Sequence, residues 1–197
     1  PHPTFGKEFA KRDTAALTQT GVAQPAIGCV SLGAMNVLSR FDIAPEAAAG
    51  HSYGELTALH AGGVLTADGL VQASKLRGEL MGAGEGDRGT MLAVRGDIAA
   101  TQAVINEEEL DVVIANKNSP EQAVLSGTTE AIQQAKGVFD ARKISSTPLT
   151  VAAAFHSKLV ADAAKPFAAG LADVEFSKAT IPIFSNTTGE QYPKDIK

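Results

Sequence analysis

Apolar positions in the first part of the chain predict helices joined by a short strand and a tight turn. Apolar side chains recur at intervals of three and four residues over 22–40, which predicts a helix with Pro25 in its first turn. The small-residue run 46–50 predicts a short buried strand that leads through a glycine turn into another helix. Thr66 is placed to cap a further helix, which we expect to end near residue 81.

The pattern changes after residue 87. Short apolar or alternating runs predict four strands, at 90–95, 110–116, 122–126 and 143–149. Between them we expect one helix capped by Asp97 and one whose apolar face carries Phe139, which gives the order βαββαβ of ferredoxin-like domains. A turn is expected at 118–120, and a last strand at 181–184.

Composition agrees with an α/β fold. The chain holds 19 Gly and no Trp, and only 5% of its residues are aromatic, which favours closely packed helices on a sheet. We predict a large subdomain formed by residues 1–87 and 150–197. Residues 88–149 are predicted to form a small ferredoxin-like subdomain inserted into it.

Charge and cysteine content restrict the class of partner. The 197 residues include 17 Lys and Arg against 22 Asp and Glu, a formal charge of −5, so no general basic surface for nucleic acid or an anionic membrane is expected. The single cysteine, Cys29, cannot form an internal disulfide, and neither a leader pattern nor an unbroken apolar run of about 18 residues appears. We therefore expect a cytoplasmic protein without nucleic-acid or membrane partners.

Residues 50–54, Gly-His-Ser-Tyr-Gly, match the pattern G-x-S-x-G. In that pattern the serine lies on a strained strand-to-helix turn, where the glycines let the backbone approach closely. Ser52 is therefore a candidate nucleophile, and the Tyr53 N–H is a candidate oxyanion donor beside the positive end of a helix. The alternative is a plain glycine turn, because a chance match in a chain of this length has a probability of roughly one in ten.

A nucleophilic serine needs a base, and the chain has 4 histidines. His2 lies at the terminus, His51 is adjacent to the serine on a tight turn, and His60 lies further along the predicted helix. His156 follows an apolar run that we expect to carry it into the interior, so it is the preferred base. The alternative is a structural histidine that its surroundings satisfy.

Arg77 is unexpected on the apolar face of its predicted helix, seven residues after Leu70. None of the residues three or four positions away is acidic, so a buried guanidinium would need a partner from elsewhere in the fold or a ligand carboxylate. The alternative is an arginine that extends to solvent.

Two further patterns predict no bound group. The glycines at 82, 84 and 86 lack the G-x-G-x-x-G spacing and follow a helix, so a dinucleotide site is not expected. No histidine or cysteine cluster has the spacing of a metal site. We therefore expect neither a cofactor nor a metal.

Three spaced motifs together resemble those of malonyl-CoA:acyl carrier protein transacylases. They are Gly-His-Ser-Tyr-Gly-Glu at 50–55, Leu-Arg-Gly at 76–78 and Ala-Phe-His-Ser at 154–157. Within that family the sequence is similar to the acyltransferase domains of iterative type I polyketide or polyunsaturated fatty acid synthases. The resemblance covers nearly the whole chain.

The resemblance implies a hydrolase-like large subdomain with a parallel sheet, a ferredoxin-like insertion and an active site in the cleft between them. It implies transfer of a malonyl group from malonyl-CoA to an acyl carrier protein through an ester on Ser52. His156 would act as general base and acid, Arg77 would bind the malonyl carboxylate, and Tyr53 would donate to the oxyanion. The implied partners are malonyl-CoA, an acyl carrier protein domain and neighbouring synthase domains.

Substrate contacts are also predicted for His51, Phe155 and Asn118. The bulky ring of Phe155 before the base, with Tyr53 on the same wall, should restrict room beside the α-carbon of the acyl group. Ala-Phe-His at this position resembles the malonyl-preferring pattern of the family, so malonyl-CoA is expected to be preferred over methylmalonyl-CoA.

The resemblance also implies segments that the sequence does not display. No Gly-Gln-Gly segment, the family's source of a second oxyanion donor, precedes residue 22. We therefore expect the large subdomain to be incomplete at both ends. Two alternatives stay open: a serine esterase or thioesterase that uses Asp111 or Asp140 as its acid, and a folding unit without catalytic activity.

Overall fold

The structure is a computed structural model that describes residues 6–84 and 86–193. Its contacts divide the chain into two compact units. The first comprises Pro1–Leu80 and Pro166–Lys197, and the second comprises Met81–Lys165. The second unit thus begins before and ends after the predicted small subdomain, 88–149.

The first unit is rich in helices. They are α1 at Gly6–Thr18, α2 at Thr20–Ser39, α3 at Gly54–Ala61 and α4 at Ala67–Gly82. The mixed polar pattern of the first 20 residues predicts no element, so α1 is a difference from expectation. Its Ala, Lys, Glu and Arg residues favour a helix, and α1 packs on α2.

The helix predicted over 22–40 is confirmed as α2, but its buried face is not the apolar one. Pro25 lies in the second turn rather than the first. The buried positions are Thr20, Gln24 and Gly28, which recur every four residues on one face. The apolar residue Val30 is 73% exposed.

The length and composition of α2 alone would allow it to cross a membrane, and 11% of that apolar stretch is buried. One such helix is weak evidence for a membrane span. The absence of a membrane partner and the cytoplasmic location stay predictions.

A close backbone approach joins α2 to α4. A Cβ atom at Gly78 would lie 2.4 Å from the carbonyl oxygen of Thr20, so no larger residue fits there without a shift. The predicted cap of α4 is confirmed, because Thr66 Oγ1 accepts a hydrogen bond from the Gly69 N–H at 3.0 Å. Leu70 and Ala73 of α4 are fully buried.

Two short strands form a parallel pair in the first unit. β1 at Ala48–Ala49 pairs with β6 at Ile183–Phe184, with Ala48 opposite Ile183. Both strands lie within the predicted segments. The pair places the chain after β1 and the chain after β6 at the same edge, because the carboxyl ends of parallel strands coincide.

The second unit contains a four-stranded antiparallel sheet. Its strands are β2 at Thr90–Arg95, β3 at Val113–Ser119, β4 at Gln122–Gly127 and β5 at Ser146–Leu149. Their order across the sheet is β3-β4-β2-β5. α5 at Ile98–Glu107 joins β2 to β3, and α6 at Thr129–Ala141 joins β4 to β5. Asp97 caps α5 as predicted, accepting a hydrogen bond from the Ala100 N–H at 2.9 Å.

One core fills the space between this sheet and its two helices. Leu92 and Val94 of β2 share a face with Leu125 of β4, and α6 contributes the fully buried Phe139. The alternation along β2 matches the pattern that predicted the strand.

Two predicted strands are shifted. The strands expected at 110–116 and 143–149 begin three residues later than predicted. The first residues of each segment close the preceding helix instead: Leu110 N–H donates to Ile105 O and Ile144 N–H donates to Phe139 O. Apolar side chains that are buried at the end of a helix give the same hydrophobic pattern as the first residues of a strand, so the strands were predicted to begin too early.

The turn predicted at 118–120 is displaced, because β3 extends to Ser119. Asn118 lies within β3, and the turn itself consists of Pro120 and Glu121.

The chain later forms a 3-10 helix at Lys158–Ala163, α7 at Ala164–Gly170 and a second 3-10 helix at Leu171–Asp173.

Candidate active site

The residues between β1 and α3 form a sharp turn in the first unit. Ser52 has a φ of 54°, in the left-handed region that residues other than glycine rarely adopt. The N–H groups of Gly54 and Glu55 donate to the carbonyl oxygens of His51 and Ser52 at 2.9 and 3.1 Å. A half-buried serine in this conformation between a strand and a helix has the geometry of a nucleophile elbow.

The two glycines of the motif differ in what they do. A Cβ atom at Gly50 would lie 2.0 Å from the carbonyl group of Gly54, so glycine is required there. A Cβ atom at Gly54 would meet nothing within 4 Å. The expectation that both glycines allow a close backbone approach is therefore wrong for Gly54.

The side chain of Tyr53 points into the core of the first unit. It is 8% exposed, and its hydroxyl lies 2.7 Å from Ser74 Oγ on α4. A Cβ atom at Gly28 would lie 2.3 Å from the same hydroxyl, so α2 encloses the ring from another side. The hydroxyl is therefore held by the helix core, which argues against the predicted role of the ring as a wall for the acyl group.

Two histidines lie close to the turn in sequence. His51 is exposed on the turn itself. The His60 Nδ1 atom lies 2.8 Å from the carbonyl oxygen of Leu65, which anchors the ring to the loop after α3. His60 therefore has a structural contact within its own unit.

Arg77 has a partner on another helix, which is the first of the two possibilities that the sequence left open. Its Nη1 donates to Gln24 Oε1 at 2.8 Å, and the guanidinium is partly buried. Among the described residues no carboxylate lies within ion-pair distance of Arg77. The bond to Gln24 and the partial burial contradict the alternative in which Arg77 extends to solvent.

Burial lowers the pKa of Arg77 from its ordinary value, while the negative charge of Glu55 acts in the opposite direction. Arginine stays protonated near neutral pH despite such a shift. The first unit thus holds a desolvated cation that is anchored by a neutral amide.

His156 lies in the second unit, on a turn before the 3-10 helix. Its φ is 58°, so it shares the left-handed conformation of Ser52. Ala153 and Ala154 before it are fully buried, but His156 itself is exposed. The expectation that the apolar run carries this histidine into the interior is wrong for the ring, because the backbone turns outward after Ala154.

Several contacts fix the ends of this turn. Ala154 N–H donates to Arg88 O at 2.8 Å, and Ser157 Oγ donates to Ala154 O at 2.6 Å. The guanidinium of Arg88 reaches Asp162 at 3.3 Å and lowers the pKa of that carboxyl. The His156 turn is therefore held on both flanks within its own unit.

Asn186 and Glu55 contact the Ser52 turn and were not predicted. Asn186 Oδ1 accepts a hydrogen bond from the Ser52 N–H at 3.0 Å, and the Asn186 N–H donates to Glu55 Oε1 at 2.8 Å. A signal existed in the sequence, since Asn186 lies two residues after the end of the predicted strand 181–184. Parallel pairing of that strand with β1 would have placed Asn186 beside Ser52.

A cavity of about 860 Å³ lies beside the turn in the first unit, among α2, β1 and α3. Its lining includes Gly50, His51 and Gly54 of the turn together with apolar residues of α2. His51, predicted to contact substrate, therefore faces a space large enough for a small ligand.

The other predicted residues lie in the second unit. Asn118 is exposed on β3, and Phe155 is half-buried directly before His156. Asp140, a candidate acid of the esterase alternative, binds Lys136 on the surface of α6 at 2.6 Å. Asp111, the other candidate acid, is exposed.

No cluster of three or more histidine, cysteine or acidic residues that could hold a metal ion occurs in residues 6–84 and 86–193. Cys29 is free and exposed on α2. The predictions that the protein uses neither a metal nor a cofactor stay predictions.

Several relatives of this chain are named as malonyl CoA-acyl carrier protein transacylases. It is 38% identical over 184 residues to the polyketide biosynthesis malonyl CoA-acyl carrier protein transacylase BaeC of Bacillus velezensis, covering 91% of this chain and 63% of the relative. The solved acyltransferase domain of an iterative polyketide synthase of enediyne biosynthesis superposes with a TM-score of 0.82 at 33% identity, over 90% of this chain and 47% of the other.

A third match is a malonyl-transacylase solved in complex with a type II polyketide synthase acyl-carrier protein. It has a TM-score of 0.80 and 31% identity, over 89% of this chain and 59% of the other. The chain thus spans roughly half to two thirds of the length of these three proteins. The family model described as "Acyl transferase domain" matches residues 9–195, and the chain belongs to this acyltransferase family.

Proposed function

We propose that this protein transfers a malonyl group from malonyl-CoA to an acyl carrier protein through an ester on Ser52. The observation that carries the proposal is the left-handed conformation of Ser52 between β1 and α3, in a chain that belongs to the acyltransferase family. BaeC is named for malonyl transfer to an acyl carrier protein, which supports the same donor and acceptor here.

In the proposed reaction Ser52 Oγ attacks the thioester carbonyl carbon of malonyl-CoA. His156 takes the hydroxyl proton, the carbon–sulfur bond breaks, and the proton passes to the departing thiolate of coenzyme A. The carrier thiol then attacks the ester carbonyl, its proton moves through His156 to Ser52 Oγ, and the malonyl group leaves on the carrier.

The oxyanion of each tetrahedral intermediate needs hydrogen-bond donors. The N–H groups of Gly54, Glu55 and Leu56 donate to carbonyl oxygens of the same turn, and the Tyr53 N–H takes no part in that series. We assign the Tyr53 N–H as one oxyanion donor. The N-terminus of α3 adds a favourable dipole at the same place.

Arg77 is assigned to the free carboxylate of the malonyl group. A guanidinium that is partly desolvated and held by the neutral Gln24 keeps its charge for a ligand. His51, Phe155 and Asn118 are proposed as further substrate contacts.

We also infer that the second unit is a ferredoxin-like insertion in a hydrolase-like α/β fold. The support is the order βαββαβ along the chain and the antiparallel strand order β3-β4-β2-β5 with both helices on one core. Neighbouring synthase domains are proposed as partners, since one solved relative is a domain of an iterative polyketide synthase.

Intact mass spectrometry after mixing with malonyl-CoA tests the function. We expect a stable adduct of one malonyl group in the parent and in Ser177→Ala, a control at an exposed serine that does not line the cavity, and none in Ser52→Ala. The adduct should disappear when a carrier protein with its phosphopantetheine arm is added. His156→Ala should slow acylation by a factor of about 10² to 10⁴.

A serine esterase or thioesterase would behave differently. It would release free malonate without accumulating an adduct, because water would replace the carrier thiol. An adduct that persists in Ser52→Ala would remove Ser52 from the mechanism.

A further inference from the structure

The segment after β6 forms a closed turn that the proposed reaction does not use. Ser185 N–H donates to Glu190 O at 2.9 Å, and Gly189 N–H donates to Ser185 O at 2.8 Å. Ser185 Oγ also accepts from the N–H groups of Thr187 and Thr188 at 3.1 and 3.4 Å. These bonds give the segment a defined shape, although most of it is exposed.

This turn contacts the Ser52 backbone at one atom. The Ser52 N–H donates to Asn186 Oδ1 at 3.0 Å, and a backbone N–H can only donate, so the oxygen of the amide must face it. The contact joins residues 134 positions apart in the sequence. Asn186 therefore holds the very residue whose φ is strained.

Glu55 fixes Asn186 from the other side. Its Oε1 accepts from the Asn186 N–H at 2.8 Å and from the Tyr192 hydroxyl at 3.4 Å. Glu55 lies in the first turn of α3, directly after the Ser52 turn. The bonds thus form a closed path: Ser52 to Asn186, Asn186 to Glu55, and Glu55 back along α3 to Ser52.

A closed path of this kind opposes relaxation of the turn. A serine with positive φ is less stable than one in the ordinary helical or extended regions, so it persists only where surrounding contacts determine it. Rotation of the Ser52 backbone to negative φ would move its N–H off Asn186 and would reorient Oγ. The bond to Asn186 is lost in any such relaxed state.

We propose that Asn186 and Glu55 are positioning residues that hold the Ser52 backbone, and hence its Oγ, in the reactive orientation. The inference rests on the proposed role of Ser52 as nucleophile. Neither side chain needs to touch the substrate for this role.

The test measures the reactivity of Ser52 with an uncharged fluorophosphonate rather than with a natural substrate. Ser52 Oγ attacks phosphorus, the phosphorus–fluorine bond breaks, fluoride leaves, and the base takes the hydroxyl proton. The reagent carries no carboxylate for Arg77 to bind. Although the charge of Glu55 acts on Arg77, a change at Glu55 therefore cannot alter labelling through the affinity of Arg77 for a carboxylate.

Asn186→Ala and Glu55→Ala should label about 10- to 100-fold more slowly than the parent, since a displacement of about 1 Å can cost 10²-fold. Glu55→Gln keeps an acceptor oxygen and should retain most of the parent rate. Thr188→Ala is the matched control, because the hydrogen bond that Thr188 Oγ1 accepts, from the Glu190 N–H, lies within the same turn and does not reach Ser52. Hydrogen exchange of the Ser52 amide should accelerate in Asn186→Ala and not in Thr188→Ala.

The outcomes separate the two proposals. If the parent does not label at Ser52, the proposed function fails. If the parent labels and Asn186→Ala labels at the same rate, the positioning role is wrong while the function stands. A purely structural role would slow labelling only at temperatures where the variant begins to unfold, so the melting temperature of each variant is measured alongside.

Discussion

Arg77 of α4 donates a 2.8 Å hydrogen bond to the side-chain oxygen of Gln24 on α2. The two helices meet where Gly78 lies against the backbone of Thr20, which brings the base of the Arg77 side chain close to α2. The amide orients the guanidinium without neutralising it. A desolvated cation of this kind is suited to a carboxylate ligand.

Arg77→Ala should shift selectivity from malonyl-CoA toward acetyl-CoA. The variant loses a charge-assisted contact to the malonyl carboxylate, and it removes a desolvated cation to which acetyl-CoA would offer no carboxylate. Acylation rates with each thioester measure the shift, and Arg40→Ala on the exposed end of α2 serves as control. An equal loss with both thioesters would show that Arg77 is structural.

Gly50→Ala and Gly54→Ala should have opposite consequences. A methyl group at residue 50 would overlap the Gly54 carbonyl group and should destabilise the protein by about 1–3 kcal/mol or more. A methyl group at residue 54 meets open space at the start of α3 and should be neutral or stabilise by about 0.5–1 kcal/mol. Urea unfolding measures both, and similar effects would contradict the steric argument.

Asp87 should make the stability of the second unit depend on acidic pH. Hydrogen bonds from the hydroxyl and N–H of Thr129, and from the Gly89 N–H, lower the pKa of this exposed carboxyl. The unfolded chain therefore binds its proton first as pH falls. The stabilisation is complete above the ordinary aspartate pKa of about 3.9 and is lost as pH falls through the lower folded value.

Asp87→Asn should weaken this acid dependence in thermal unfolding between about pH 5 and 2. Asp162, whose pKa is lowered by Arg88, acts in the same direction, so part of the dependence should remain. Asp111→Asn, a change at another exposed aspartate, is the control. An unchanged pH profile in Asp87→Asn would contradict the assignment.

Phe155→Ser should reduce the predicted preference for malonyl-CoA over methylmalonyl-CoA. One additional methyl group in a restricted pocket is worth roughly 10- to 200-fold in discrimination. Competition between the two thioesters measures the preference. Comparable acylation by both in the parent would show that Phe155 does not restrict the acyl group.

Local signals in the sequence predicted what local contacts determine. Ser52 with its preceding strand and following helix, the Thr66 cap and the Asp97 cap each depend on residues only a few positions away. The four strands of the second unit were also found, with errors of three residues where apolar side chains close a helix end.

Contacts distant in sequence were not predicted. The bond from Ser52 to Asn186 depends on the register of β1 against β6, which a hydrophobic pattern does not specify. The sequence left open whether Arg77 contacts another part of the fold, a ligand or solvent. Gln24 was not identified as its partner, because it lies 53 positions away on an otherwise apolar helix. Tyr53 was placed on the wrong surface because its ring packs against α2 and α4, which no local rule specifies.

The left-handed backbone of Ser52 also limits which hydroxyl amino acid can occupy the position. Threonine has the same reactive group as serine, but its branched Cβ makes a positive φ far more costly. The turn therefore discriminates between two chemically equivalent alcohols by shape alone. Cysteine, which is unbranched at Cβ, fits the same backbone, so a thiol is a more accessible replacement for this nucleophile than a second alcohol.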